Sequence, residues 1–185
     1  MPRRTAAPVK IGITGLPGSG KTQTLLRIIQ IVEQEGMTVG GMVTEPIIER
    51  SHRSGFTLTN WITKEHEVLA HEGLKSRQRS GKYGVNLAAL EGLGVHALEQ
   101  ARADADVIVI DEVGKIEVEC EAFNRCVVDT LDASKSIVMT LHKKSRNPLL
   151  QDIRRRDDLR LLEVTPVNKN LLAFKIVKLL TGRAH

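Results

Sequence analysis

The sequence predicts an α/β fold, a three-layer sandwich whose mostly parallel sheet lies between helices and carries a β-hairpin insertion, and three observations carry that prediction. Val9–Thr14, Gly15-Leu16-Pro17-Gly18-Ser19-Gly20-Lys21-Thr22 and Leu25–Val32 read in succession as strand, glycine-rich loop and helix. Val107-Ile108-Val109-Ile110 is an unbroken apolar run, the pattern of a strand buried on both faces of a parallel sheet. After it, strand-prone and helix-prone segments alternate at the crossover lengths that parallel strands need.

Each element has its own justification. Val9–Thr14 reads as the first strand and as a central one. The helix from about Lys21 to Glu35 places Leu25, Leu26, Ile28, Ile29, Ile31 and Val32 on a wide apolar stripe, and Gly36 stands at the C′ position. Thr38–Thr44 is the second strand, where Gly40-Gly41 implies a bulge or close backbone packing. Pro46–Glu49 and Gly55–Thr63 form a hairpin around the turn-rich Arg50–Ser54, and Glu65–Ala70 is a third short strand. Residues 71–84 show no periodicity and read as a long basic lid loop. Asn86 caps a helix reaching about Asp104, which Gly92 and Gly94 interrupt in composition. A helix over Cys120–Leu131, a strand over Ser136–Leu141, a helix over Leu149–Arg156, a strand over Leu159–Val164 and a helix over Lys169–Leu180 complete the chain.

Length and composition fit one domain over residues 9–185, preceded by a short basic tail at 1–8, with the insertion at about 45–70 and the lid at about 71–84. Apolar residues at 41% and charged residues at 26% are ordinary globular values. No run approaches the roughly 20 apolar residues of a membrane helix, and the start lacks a secretory core, so a cytoplasmic protein with no membrane partner is expected. Cys120 and Cys126 match no zinc or redox spacing and read as free thiols. The net charge of +5 is uneven. From His142 to Arg160 seven basic residues face three acidic ones, and Lys75, Arg77, Arg79 and Lys82 form an all-basic cluster. Such clusters attract polyanions. With Trp61, Tyr83 and three Phe the only aromatics, a stacking platform for single-stranded nucleic acid is not favoured, and triphosphate is the more economical anion.

The chemistry starts at Gly15–Thr22, which fits G-x-x-x-x-G-K-[ST]. Its glycines let successive backbone N–H groups curl around phosphate, and the new helix aims its positive end at the same charge. Gly15, Leu16, Pro17, Gly18, Ser19, Gly20, Lys21, Thr22 and Gln23 are therefore the nucleotide-binding candidates, with Lys21 reaching the β- and γ-phosphates and Thr22 ligating Mg²⁺. Asp111, at the carboxyl end of the apolar strand, is the second candidate for the Mg²⁺ shell. Glu112 beside it can orient or deprotonate an attacking water. Charge building on the γ-oxygens calls for a cation from a lid, and Arg146, Arg79, Lys82 and Arg53 are the candidates, with Arg146 assigned to the reaction. Glu117 can pair with a lid cation or sit in a surface ion pair.

Beyond the generic loop, Gly55-Phe56, Gly81-Lys82-Tyr83-Gly84-Val85-Asn86-Leu87, Ile110-Asp111-Glu112-Val113-Gly114-Lys115-Ile116-Glu117, and Leu150–Arg156 leading to Glu163-Val164-Thr165-Pro166 resemble the nucleoside-triphosphatase family of thermophilic archaea and bacteria, to which the human cancer-related nucleoside-triphosphatase is related. The resemblance spans about Val9 to Leu180. It implies a P-loop NTPase with a RecA-like core and Mg²⁺-dependent hydrolysis of ATP, GTP and other nucleoside triphosphates to diphosphate and phosphate. Carried over by residue, it implies Gly15–Thr22 as the phosphate loop, Asp111 as the Mg²⁺-side acid and Glu112 as the base. It leaves the roles of Arg53, Tyr83, Glu117 and Arg146 open. Three departures stand out: Ile116 where methionine is usual, Gln23 for a second threonine, and Val167-Asn168-Lys169 for a Glu-Asn-Arg-like run. A monomeric hydrolase is the leading expectation. A kinase passing the γ-phosphoryl group to a small acceptor is the alternative, and a nucleotide-switched binding module for RNA or protein is the third reading. The preferred base is not fixed by the residues.

Overall fold

The computed structural model describes residues 7–182. Its strands are β1 (Lys10–Gly15), β2 (Val39–Glu49), β3 (His52–Asn60), β4 (His66–His71), β5 (Arg79–Ser80), β6 (Tyr83–Val85), β7 (Val107–Val113), β8 (Ser136–His142) and β9 (Leu159–Glu163). Its helices are α1 (Lys21–Gln34), α2 (Leu87–Ala89, a π turn at Leu90–Gly94, then Val95–Asp104), α3 (Glu121–Asp132), α4 (Pro148–Arg154) and α5 (Lys169–Thr181). Of the basic tail expected at residues 1–8, the first six lie outside the described residues.

The strands form one sheet in the order β5-β6-β4-β3-β2-β7-β8-β1-β9. β7, β8, β1 and β9 are parallel neighbours, and β2 joins them through Val39–Met42 against Val107–Ile110. From Met42 onward β2 leaves β7 and pairs antiparallel with β3, and β4, β6 and β5 extend that antiparallel wing. β1 is thus not the central strand; it lies next to the edge strand β9, in register Lys10 with Leu159 on one side and Ile137 on the other.

Alternation along the parallel strands divides the core in two. Ile108 and Ile110 of β7 face a cluster with Leu90, Leu98, Phe123, Val127, Leu150 and Ile153, from α2, α3 and α4. Val107 and Val109 face the other cluster, with Ile11 and Ile13 of β1, Leu25, Ile28 and Val32 of α1, and Ile176 and Val177 of α5. Both faces of the strand are dry, which is why its sequence reads as a continuous apolar run. The close packing expected at Gly40-Gly41 is present, since a Cβ on Gly41, at φ +117°, would lie 2.0 Å from the Val109 carbonyl oxygen. Cys120 and Cys126 are buried free thiols. No helix among the described residues is long and apolar enough to cross a membrane.

Two local readings change. The hairpin turn is only Arg50-Ser51, both with positive φ, as a two-residue turn between twisted strands requires, so β2 runs unbroken to Glu49 and β3 begins and ends three residues earlier than the hydrophobic pattern implied. β2 also continues through Pro46, which is tolerated because beyond Met42 this strand has only β3 as partner. Residues 71–84 are not wholly loop: β5 and β6 form a hairpin turning at Gly81-Lys82 with Ser80 opposite Tyr83.

Candidate active site

The phosphate loop links β1 to α1 at the carboxyl edge of the parallel strands. Gly18 and Gly20 adopt φ +78° and +99°, which an L side chain seldom accepts, and a Cβ on Gly15 would meet Ser19 Oγ at 2.5 Å and the Val164 carbonyl at 2.7 Å. α1 opens at Gly20 with no side-chain cap and no acidic residue in its first turn. Its leading N–H groups and positive dipole end therefore stay available to an anion. Ser19 Oγ is buried beneath the loop with no hydrogen-bond partner among the described residues.

Four predicted residues meet here. Lys21 Nζ folds back to donate to the Gly15 carbonyl at 3.2 Å and lies 3.9 Å from Glu112 Oε2. Thr22 Oγ1 donates to Asp111 at 3.0 Å from Oδ2 and 3.2 Å from Oδ1. The strand end supplies the acids through an irregularity: Ile110 pairs with Met139 but Val113 pairs with Leu141, so the intervening Asp111 and Glu112 stand out of the ladder. The peptide between these two acids is cis.

Asp111 is fully buried, and burial raises its pKa to about 6; hydrogen bonds from Thr140 and Thr22 oppose that shift and the Glu112 charge adds to it. Thr140 Oγ1 donates to Oδ1 at 2.6 Å. Glu112 is more open, its side chain 30% exposed. Thr22 Oγ1 and the Asp111 carboxylate are hard oxygen donors within hydrogen-bond distance of each other, a set that fits Mg²⁺ shared with phosphate oxygens.

Glu117 takes neither of its expected places. It is 5% exposed and bonded to backbone, its Oε2 accepting from Gly114 N at 3.1 Å. Burial, then the Glu112 charge, raises its pKa to about 8. Gly114 stands between the two acids with no room for a side chain: a Cβ there would lie 2.7 Å from Glu112 Oε1 and 3.2 Å from Glu117 Oε2.

The candidate cations are not drawn to the phosphate loop. Arg146 is exposed in the loop after β8, its carbonyl accepting from Gln151 Nε2 at 2.7 Å, and its guanidinium has no ion pair among the described residues. Arg53 lies over the Phe56 ring at 5.3 Å, while its carbonyl accepts from Tyr83 OH at 3.3 Å and Lys82 Nζ at 3.4 Å. Lys82 pairs with Glu72, and Arg79 donates to the Lys82 carbonyl at 2.7 Å. These contacts knit the antiparallel wing together.

Sequence reasoning missed three residues. Thr140, the one polar residue inside an apolar strand, carried a readable signal. His142, at the end of β8, is half-buried, and burial pulls its pKa down within the field of Glu112, Lys115 and Lys21. Arg154 donates to the carbonyls of Ser145 at 2.8 Å and Lys143 at 3.3 Å and to that of His142, bracing the loop after β8. Nothing in the basic cluster distinguished it from its neighbours. Gln23 and Lys169, two of the departures noted above, meet as Lys169 Nζ donates to Gln23 Oε1 at 3.3 Å beside Gly20.

The chain also matches known proteins in sequence and fold. The model of a family described as NTPase matches residues 10–177. The chain is 38% identical over 174 residues to nucleoside-triphosphatase THEP1 of Picrophilus torridus, covering 94% of this chain and 97% of that one. Its fold is similar to the crystal structure of THEP1 from Aquifex aeolicus, with TM-score 0.82, 32% identity and coverage of 93% and 99%. It is also similar to the solution structure of a human cancer-related nucleoside triphosphatase, with TM-score 0.79, 28% identity and coverage of 96% and 100%.

Proposed function

The chain belongs to the nucleoside-triphosphatase family, and from that premise we propose that it hydrolyses ATP, GTP and other nucleoside triphosphates in a Mg²⁺-dependent reaction whose machinery is Lys21, Thr22, Asp111 and Glu112. The observation that carries the reading is their convergence, with Thr22 3.0 Å from Asp111 and Lys21 3.9 Å from Glu112.

The roles follow from chemistry. The loop's N–H groups and the α1 dipole receive the phosphates, and Lys21, now resting on the Gly15 carbonyl, swings to the β- and γ-oxygens as negative charge develops there. Thr22 and Asp111 would hold Mg²⁺, which supplies charge neutralisation at the leaving and transferring oxygens. Glu112, the more exposed of the acids, positions the attacking water and takes its proton. The arginine assigned to the reaction from sequence, Arg146, remains a proposal, reachable if the loop after β8 closes on the phosphate.

Phosphate release by wild type, Lys21→Ala and Glu112→Gln tests the assignment. Glu112→Gln should turn over about 10²–10⁴-fold more slowly while still binding nucleotide, and Lys21→Ala should lose both. Full turnover by Glu112→Gln overturns the base.

A further inference from the structure

A cleft of about 590 Å³ lies beside this site, walled by the β5–β6 hairpin on one side and by the segments after β7 and β8 on the other. Its lining contains no phosphate-loop residue and neither Asp111 nor Glu112. We propose that this cleft binds a phosphorylated sugar, free or within a mononucleotide, whose hydroxyl accepts the γ-phosphoryl group in place of water. The proposal rests on the reading of Lys21 and Glu112 given above.

Position is the first argument. Asp111 and Glu112 lie near the end of β7, and a triphosphate with its γ end there and its chain along the loop after β1 would send its nucleoside toward β9, on the far side of β1. Lys115 of the cleft comes three residues after Glu112, and Ser145 and Asn147 follow β8, the strand between β7 and β1. His142 lies in the field of Glu112, Lys21 and Lys115 alike, so the cleft wall and the reacting groups share one neighbourhood. The cleft therefore opens on the γ side.

Size and lining come next. A water acceptor needs about 30 Å³, whereas small-molecule sites run to about 300–1,000 Å³, and this cleft falls in the second range. Arg79 and Lys115 offer two cations to an anionic group, against one acid, Glu119. Gln78, Ser145 and Asn147 offer neutral donors and acceptors for hydroxyls. Arg79 is held in place by the Lys82 carbonyl. Glu112, three residues before Lys115 of the cleft wall, also discriminates between acceptors in this proposal: a carboxylate repels an attacking phosphate dianion and suits a hydroxyl that must lose a proton.

The step balances without another reactant. The acceptor oxygen bonds to Pγ, the bond from Pγ to the β,γ-bridging oxygen breaks, its electron pair leaves with the nucleoside diphosphate, and the hydroxyl proton passes to Glu112.

The test supplies the full chain with Mg²⁺, γ-labelled ATP and, in separate reactions at millimolar concentration, ribose phosphate, glucose phosphate or mononucleotides. Label should appear on the acceptor, and ADP should exceed free phosphate by the same amount. Label on ribose or glucose phosphate assigns the free sugars, and label on mononucleotides alone assigns the nucleotide form. Arg79→Ala combined with Lys115→Ala should cut transfer by about tenfold or more while hydrolysis without acceptor persists. Equal ADP and phosphate with every probe, or transfer indifferent to the double variant, overturns the proposal. ATP turnover that survives Lys21→Ala would instead overturn the site reading on which it rests.

Discussion

Three carboxylates within seven residues, Asp111, Glu112 and Glu117, end in three environments, and their differences follow from what surrounds each one. Asp111 is dry but receives two hydroxyl hydrogen bonds, Glu112 keeps contact with solvent beside a lysine, and Glu117 is dry with a backbone N–H as its partner. Glu117 gives a pH prediction whose sign can be worked out. Its pKa rises from the ordinary 4.5 to about 8 on folding, so between those values the folded state holds a proton that the unfolded state has released. Stability then falls as pH rises through that window, because the unfolded carboxyl gains by ionising while the buried one keeps its proton. Urea midpoints taken from about pH 5 to about pH 8 should decline for the wild type, and Glu117→Gln, which keeps the acceptor for Gly114 N, should flatten part of the decline. The position of Glu117 in the chain was readable in advance and its state was not, because burial of a charge depends on which loop folds over it.

At the scale of elements, glycines separate positions where backbone packing decides from positions where only chain entropy does. Gly41→Ala would drive a Cβ into the Val109 carbonyl at a positive φ in the junction of β2 and β7, and should destabilise by about 2–4 kcal/mol. Gly92, exposed in the π turn of α2 with nothing within 4 Å of an added Cβ, behaves oppositely: Gly92→Ala should stabilise by about 0.5–1 kcal/mol. Thermal unfolding of the two variants checks both signs. The same comparison shows what sequence reading reaches. The parallel core was legible because long strands and helices repeat their period several times, as Val107–Ile110 and Leu25–Val32 do. β5 has two residues and β6 three, too short to show any period, so they passed for loop. The lid arginines were legible as charges and not as contacts, since Arg53, Arg79 and Lys82 take partners brought in by strand pairing.

Across the whole molecule, much of the basic excess noted from His142 to Arg160 is already engaged: Arg154 on loop carbonyls, Arg156 with Asp132 and Asp158, Lys143 with Glu163. The phosphate loop stays open to an anion, and its place in the fold decides how strongly a ligand there is felt. Gly15 ends β1 and Lys21 begins α1, which packs in one core cluster, while Asp111 ends a strand that also packs in the other. A triphosphate bridging these residues binds only when both halves of the core are formed, so its binding energy adds to global stability and does not merely stiffen a loop. Mass action sets the size: at a hundred times its Kd a ligand specific for the folded state contributes about 2.7 kcal/mol. For a chain of this length that corresponds to a rise in Tm of about 5–10 °C. A non-hydrolysable triphosphate with Mg²⁺ should produce that rise in the wild type and in Glu112→Gln, whose phosphate contacts are intact, and Lys21→Ala should lose most of it. A rise retained by Lys21→Ala would mean that the stabilising anion sits elsewhere, because this lysine is the one side-chain cation that the loop itself carries.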